Sequence, residues 1–123
     1  MGHVETTTAS RSATSEAEAL EARARYFRVL GDATRLEILE ALLQEERSVT
    51  QLMEITRAPQ SRVSNHLACL RWCRLVEAER RGRQVIYRIA DPQVPALLAL
   101  ARSLSADQCD YLASCRRIGP DWI

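Results

Sequence analysis

The Ala58-Pro59 step constrains this chain more than any other pair of residues, because helical patterning runs up to it and resumes directly beyond it. Proline disfavours helical backbone in the residue before it and has no N–H to donate, so one helix must end there and another begin. Upstream, Ser48 or Thr50 starts a short helix carrying Val49, Leu52, Met53 and Ile55. Downstream, a helix starts near Gln60 or Ser61. Its Val63, Leu67 and Leu70 point inward, while Gln60, Ser61, Arg62, Ser64, Asn65 and His66 form an exposed polar face. Two short helices with a tight break between them make a helix-turn-helix. Leu75 to Arg80 and Gln84 to Ile89 then alternate on either side of Arg81-Gly82-Arg83, which predicts a two-stranded hairpin, a wing beside the second helix.

The flanking segments are helical in pattern. Ser15 is a capping residue with Glu18 three positions on, and Leu20, Ala24, Phe27 and Leu30 follow at helical spacing until Gly31 ends the run. Asp32 caps a second helix with a broad apolar face of Leu36, Ile38, Leu39, Leu42 and Leu43. Asp91-Pro92 opens a last helix whose Val94, Leu97, Leu98, Leu100, Ala101 and Leu104 are too many for one side of a terminal surface helix. A partner is expected to cover them, and dimerisation is the expected use. Residues 1–14, small, polar and unpatterned, read as a disordered tail that includes His3. Residues 15–105 read as the domain, and residues 106–123 as a C-terminal segment with helical character up to Cys115 before Gly119-Pro120 breaks it. The expected fold class is mainly α with a small β-hairpin: a homodimeric winged helix-turn-helix, one domain being the natural size for 123 residues.

No apolar run approaches the roughly 18 to 20 residues of a membrane span. The Thr/Ser-rich start lacks the apolar stretch of a secretory signal, so a cytoplasmic protein with no membrane partner is expected. In that reducing compartment four cysteines suit metal or redox chemistry better than disulfides. No nucleophile–base set, glycine-rich phosphate loop or paired-carboxylate cleft stands out, so no enzyme is expected.

A formal net charge of +1 conceals an uneven distribution. Between Arg57 and Arg88 stand Arg57, Arg62, Arg71, Arg74, Arg80, Arg81, Arg83 and Arg88 against only Glu77 and Glu79, whereas Asp32 to Glu54 is mostly acidic. All seventeen cations are Arg, which reflects a GC-rich genome's codon bias more than a demand for bidentate phosphate contact. The basic segment coincides with the helix-turn-helix and the wing, and that coincidence points to double-stranded DNA. Gln60, Ser61 and Arg62 lie where a second helix meets base edges and phosphate, and Arg80, Arg81 and Arg83 at the wing tip suit phosphate or the minor groove. His66 reads as a DNA-face or a structural residue. Trp72, Tyr87 and Trp122 read as packing residues. Cys69 and Cys73, four residues apart, place two thiols on one face of the same helix about one turn apart. Free cysteine is also a common buried small hydrophobe, and both abut the core-facing Leu70.

Taken in order, Leu30-Gly31-Asp32-Ala33-Thr34-Arg35-Leu36-Glu37-Ile38-Leu39, Gln60-Ser61-Arg62-Val63-Ser64-Asn65-His66-Leu67, Leu70-Arg71, Leu75-Val76 and Gly82-Arg83-Gln84-Val85-Ile86-Tyr87 closely resemble the ArsR/SmtB family of metal-sensing winged helix-turn-helix repressors. The resemblance covers about residues 20 to 105. It implies a homodimer paired through its first and last helices, which occupies an operator with dyad symmetry and dissociates when its inducer binds. Of the family's sensor sites, the Cys-x-Cys type on the third helix has no counterpart in Val49-Thr50-Gln51-Leu52-Met53-Glu54. The zinc type on the last helix is missing too, since Asp91 is followed by Gln93 and no His lies downstream.

What remains is the Cys69/Cys73 pair, which resembles the cadmium/lead-sensing members, where two fourth-helix cysteines join one from the C-terminal region. Cys115 or Cys109 completes that set. Cys115 is preferred because Arg116 and Arg117 favour its thiolate, whereas Asp107 and Asp110 oppose that of Cys109. Three thiolates suit a soft inducer, Cd(II), Pb(II), Hg(II) or As(III). The rival within the same fold is a repressor that senses oxidants or persulfides through these thiols.

Overall fold

The computed structural model describes the backbone of residues 2–108 and the side chains of residues 15–108. Its elements are α1 (Gly2–Leu30), α2 (Ala33–Gln44), β1 (Arg47–Ser48), α3 (Val49–Thr56), α4 (Gln60–Trp72), β2 (Val76–Arg81), β3 (Gln84–Ile89) and α5 (Gln93–Ala106). Cys109, Cys115 and Trp122, with the rest of the C-terminal segment, lie outside the described residues.

Local chemistry accounts for the boundaries. The Asp32 carboxylate accepts the Arg35 N–H at 3.0 Å and caps α2. Ser48 and Gln51 form a capping box on α3: the Ser48 hydroxyl accepts the Gln51 N–H at 3.2 Å, and the Gln51 amide oxygen accepts the Ser48 N–H at 2.9 Å. Arg57 closes α3 in left-handed backbone at φ +58, and Pro59, extended at φ −69, precedes the first turn of α4. The break at Ala58-Pro59 is therefore as tight as its residues demand.

Two features depart from the sequence expectations. First, α1 begins at Gly2, not at Ser15, and runs through the stretch read as a disordered tail. A helix once nucleated extends at one hydrogen bond per residue ordered, so a flank too polar to start a helix can continue one. Second, the wing has a third strand. Arg47 and Ser48 pair with Tyr87 and Ile86, giving an antiparallel sheet in the order β1-β3-β2. In the hairpin the register runs from Val76↔Ile89 to Arg81↔Gln84, which leaves a two-residue turn of Gly82 and Arg83. Gly82 has φ +63 while Arg83 is not left-handed, the pattern of a type II′ turn with glycine at its first position.

One core sits beneath the helix-turn-helix. Ile38, Leu39 and Leu42 of α2 meet Leu52 of α3, Val63, Leu67 and Leu70 of α4, Leu75 and Val76 at the start of the wing, and Val94 and Leu98 of α5. Leu20 and Phe27 of α1 and Leu100 and Leu104 of α5 stay exposed, an apolar surface at the two ends of the chain. No helix among the described residues is long and apolar enough to cross a membrane.

Candidate nucleic-acid interface and thiol pair

Helix α4 carries three jobs on three faces. Val63, Leu67 and Leu70, at helical spacing, are fully buried and fix its rotation against the core. On the opposite side Gln60, Ser61, Arg62, Ser64, Asn65, Ala68 and Trp72 are exposed. Ser61, Ser64, Ala68 and Trp72 follow one another at three- and four-residue steps, so they form a single stripe along the helix. Trp72, read from sequence as a packing residue, is 88% exposed. The core is already filled by Leu70 and Leu75, and the indole has no interior place within the protomer.

The C-terminal end of α4 is closed by a Schellman motif. The Leu75 N–H reaches the Leu70 carbonyl at 2.9 Å and the Arg74 N–H the Arg71 carbonyl at 3.0 Å, with Arg74 in left-handed backbone at φ +59. Leu70 and Leu75 are both fully buried, which supplies the hydrophobic contact that accompanies this motif. Cys73 is the capping residue between them, its N–H bonded to the Cys69 carbonyl at 3.1 Å.

Both cysteines are free and half-buried on the third face of α4. Burial pushes the Cys73 thiol above its ordinary value. The neighbouring Cys69 thiol, within hydrogen-bonding reach, adds to the shift, and the Arg35 guanidinium works against it. Cys73 also lines a cavity of about 290 Å³ with Tyr26 of α1, Arg74, and Asp91, Gln93, Val94 and Leu97 around the start of α5. The Tyr26 hydroxyl is itself pushed up, by burial first and then by Asp91 and Cys73. Cys73, at the end of α4, thus shares a cavity with residues of both terminal helices. Among the described residues no third metal-ligating side chain joins the thiol pair.

His66 does not share the exposed stripe. Its Nδ1 accepts the Arg35 Nε–H at 3.2 Å and its Nε2 stands 3.9 Å from the Asp32 carboxylate, while Arg35 also donates to the Val29 carbonyl at 3.2 Å. These contacts tie α4 to the corner between α1 and α2 and turn the imidazole inward. At the wing, Arg80 and Arg83 are exposed and engage in no salt bridge among the described residues. Arg81 is different: Glu46 and Glu79 both pair with it, and Glu46 is the first cause of its strengthened hold on its proton. Glu79 is correspondingly held below the usual carboxylate range by Arg81. Arg88 pairs with Glu77 at 2.7 Å and Glu79 at 3.4 Å. From Arg57 to Arg88 the cations without a salt bridge are therefore Arg57, Arg62, Arg71, Arg74, Arg80 and Arg83 among the described residues. Sequence reasoning had no local signal for the Glu46 pairing, which spans 35 positions.

Two short helices broken at proline, a three-stranded wing and an exposed polar stripe between them define a winged helix-turn-helix protein. The family model for bacterial regulatory proteins of the arsR family matches residues 32–78. A probable mercury resistance operon repressor from Streptomyces lividans is 44% identical over 95 residues, spanning 77% of this chain and 76% of that relative. The regulator CmtR of Mycobacterium bovis is 47% identical over 77 residues, 63% of this chain and 65% of CmtR. Among solved structures, Rv0081 of M. tuberculosis superposes with TM-score 0.72 at 33% identity, covering 78% of this chain and 97% of that one. The homodimeric winged helix-turn-helix DNA-binding domain of Mb0332 from M. bovis gives TM-score 0.71 at 33% identity, covering 78% and 89%. The chain belongs to the arsR family of bacterial regulatory proteins, which are transcriptional regulators and not enzymes.

Proposed function

We propose that the protein is a cytoplasmic, metal-responsive transcriptional repressor. As a homodimer it occupies a dyad-symmetric operator, and it is released when Cd(II), Pb(II), Hg(II) or As(III) binds Cys69 and Cys73 with a cysteine of the C-terminal segment. The observation that carries this reading is a pair of adjacent, half-buried thiols at the end of α4, of which Cys73 borders a cavity shared with α1 and α5. Soft sulfur donors fit a soft ion, and among the described residues the one His on α4, His66, is already engaged by Arg35. Hg(II) is the first ion to test, because the S. lividans relative is named for mercury resistance.

DNA contact falls to Gln60, Ser61, Arg62, Ser64 and Asn65 on α4 and to Arg80 and Arg83 on the wing, with Arg81 steadying the wing through its two acids. Leu20, Phe27, Leu100 and Leu104 supply the surface through which α1 and α5 meet their copies in the partner. Drawing the C-terminal segment onto Cys69 and Cys73 biases the terminal helices and α4 together, and a coupling of about 1 to 3 kcal/mol changes operator affinity roughly 5- to 150-fold.

Release of operator DNA is measured across a panel of these ions and Zn(II), with Cys69→Ser, Cys73→Ser, Cys109→Ser and Cys115→Ser variants. The first two should stay on DNA in the presence of metal with near-normal metal-free affinity, and Cys115→Ser should impair release more than Cys109→Ser. Release by metal in both α4 variants as in the parent would refute the site.

A further inference from the structure

Trp72 is the most exposed large apolar side chain described, on a helix whose Val63, Leu67 and Leu70 are fully buried on the other side, and its stripe continues Ser61, Ser64 and Ala68. With Ser64, Ala68, Arg71, Arg74 and Tyr87 it lines an open groove of about 530 Å³ between α4 and strand β3 of the wing. Arg71 and Arg74 are exposed and have no salt-bridge partner among the described residues; no acid lines this groove, while Glu77 and Asp91 line the adjoining cavity that both arginines also border. A bare indole between two free guanidiniums matches a polyanion that also presents flat apolar faces, which is what a nucleic-acid strand offers.

Length places that strand. A helix of 13 residues spans about 18 Å, whereas the major groove is about 12 Å wide, so seating the N-terminal end of α4 in the groove carries its last turn to the flanking backbone. We propose that Trp72, Arg71 and Arg74 extend the DNA interface beyond the reading end of α4. The indole packs on a deoxyribose of the bordering strand, and the two guanidiniums hold the phosphates on either side of it. This rests on the DNA-binding reading of α4 and adds a second contact region to it.

The test uses the full chain with Trp122→Phe, which leaves Trp72 as the single indole of the two in the sequence. The probe is a mixed-sequence duplex of about 30 base pairs at about 50 mM salt, where phosphate contacts dominate. Adding duplex should quench Trp72 emission and shield it from acrylamide. Trp72→Ala should weaken binding about tenfold with an unchanged salt slope, Trp72→Phe should restore most of the loss, and Arg71→Ala should reduce the slope by about one. If Trp72→Ala binds like the parent while Arg62→Ala binds worse, the Trp72 contact is wrong and the DNA-binding reading stands. If the parent binds no duplex, that reading falls with it. Shielding of Trp72 from acrylamide in the DNA-free protein would overturn the proposal in favour of the C-terminal segment or a second copy as the cover.

Discussion

Replacing Arg74 by glycine should make the protein more stable and a poorer DNA binder at once. Arg74 holds φ at +59 as the left-handed residue of the Schellman motif after α4. An L-residue there carries roughly 1 to 2 kcal/mol of strain, and glycine returns roughly 0.5 to 1 kcal/mol of that through its greater freedom in the unfolded chain. Arg74→Gly should therefore gain about 0.5 to 1 kcal/mol, a rise of about 2 to 6 °C in Tm for a domain of this size. Arg74→Ala keeps the strain and should melt close to the parent. Both lose one free guanidinium, so both should bind duplex several-fold more weakly with a flatter salt dependence. Thermal unfolding followed by circular dichroism, at one fixed protein concentration because a dimer's Tm depends on it, reads the first effect. Duplex titrations at several salt concentrations read the second. An Arg74→Gly protein that melts no higher than Arg74→Ala would show the backbone-strain reasoning to be wrong.

Ser48→Ala removes the reciprocal cap on α3 and should cost about 1 kcal/mol, seen as a lower urea midpoint at unchanged slope. Leu100→Glu combined with Leu104→Glu should yield monomers in sedimentation, and a persisting dimer would move the interface elsewhere. Because burial holds the Cys73 thiol above its ordinary value, that group is protonated at neutral pH and must lose its proton to bind metal. Apparent metal affinity should then rise about tenfold per pH unit for that thiol as pH climbs toward its pKa. Calorimetry in buffers of different ionisation enthalpy counts the protons released, and a count of zero at pH 7 would contradict the raised thiol.

The parts of the fold legible in sequence are those set by residues within a few positions of each other. Asp32 announces its cap, Ala58-Pro59 its break and Gly82 its turn, each through one local hydrogen bond or backbone restriction, and of the two candidates Ser48 and Thr50 it is Ser48 that caps α3. Strand β1 was not legible, because two residues have no period and Arg47 and Ser48 become a strand only when β3 arrives beside them. The same non-locality hid the Glu46 partner of Arg81 and the inward turn of His66 onto Arg35. Trp72 misled for the opposite reason: aromatic residues are usually packed, and only the finished core around Leu70 and Leu75 shows that no space is left for it. The thiol pair on one face of α4 followed directly from helical spacing, while the cavity that Cys73 shares with Tyr26 and the start of α5 did not.

Because α4 carries the side chains proposed to face bases at one end and its thiols at the other, the proposed function makes it a lever with the Schellman turn as fulcrum. The arm is about 18 Å, so a tilt of about 10° at the thiol end sweeps the Gln60-Ser61-Arg62 end through about 3 Å. A hydrogen bond to a base edge tolerates only a few tenths of an ångström. The same tilt moves the buried Val63 by about 2 Å and Leu67 by about 1 Å, so a swing that takes the Gln60 end out of register with a base edge also has to repack the core beneath α4.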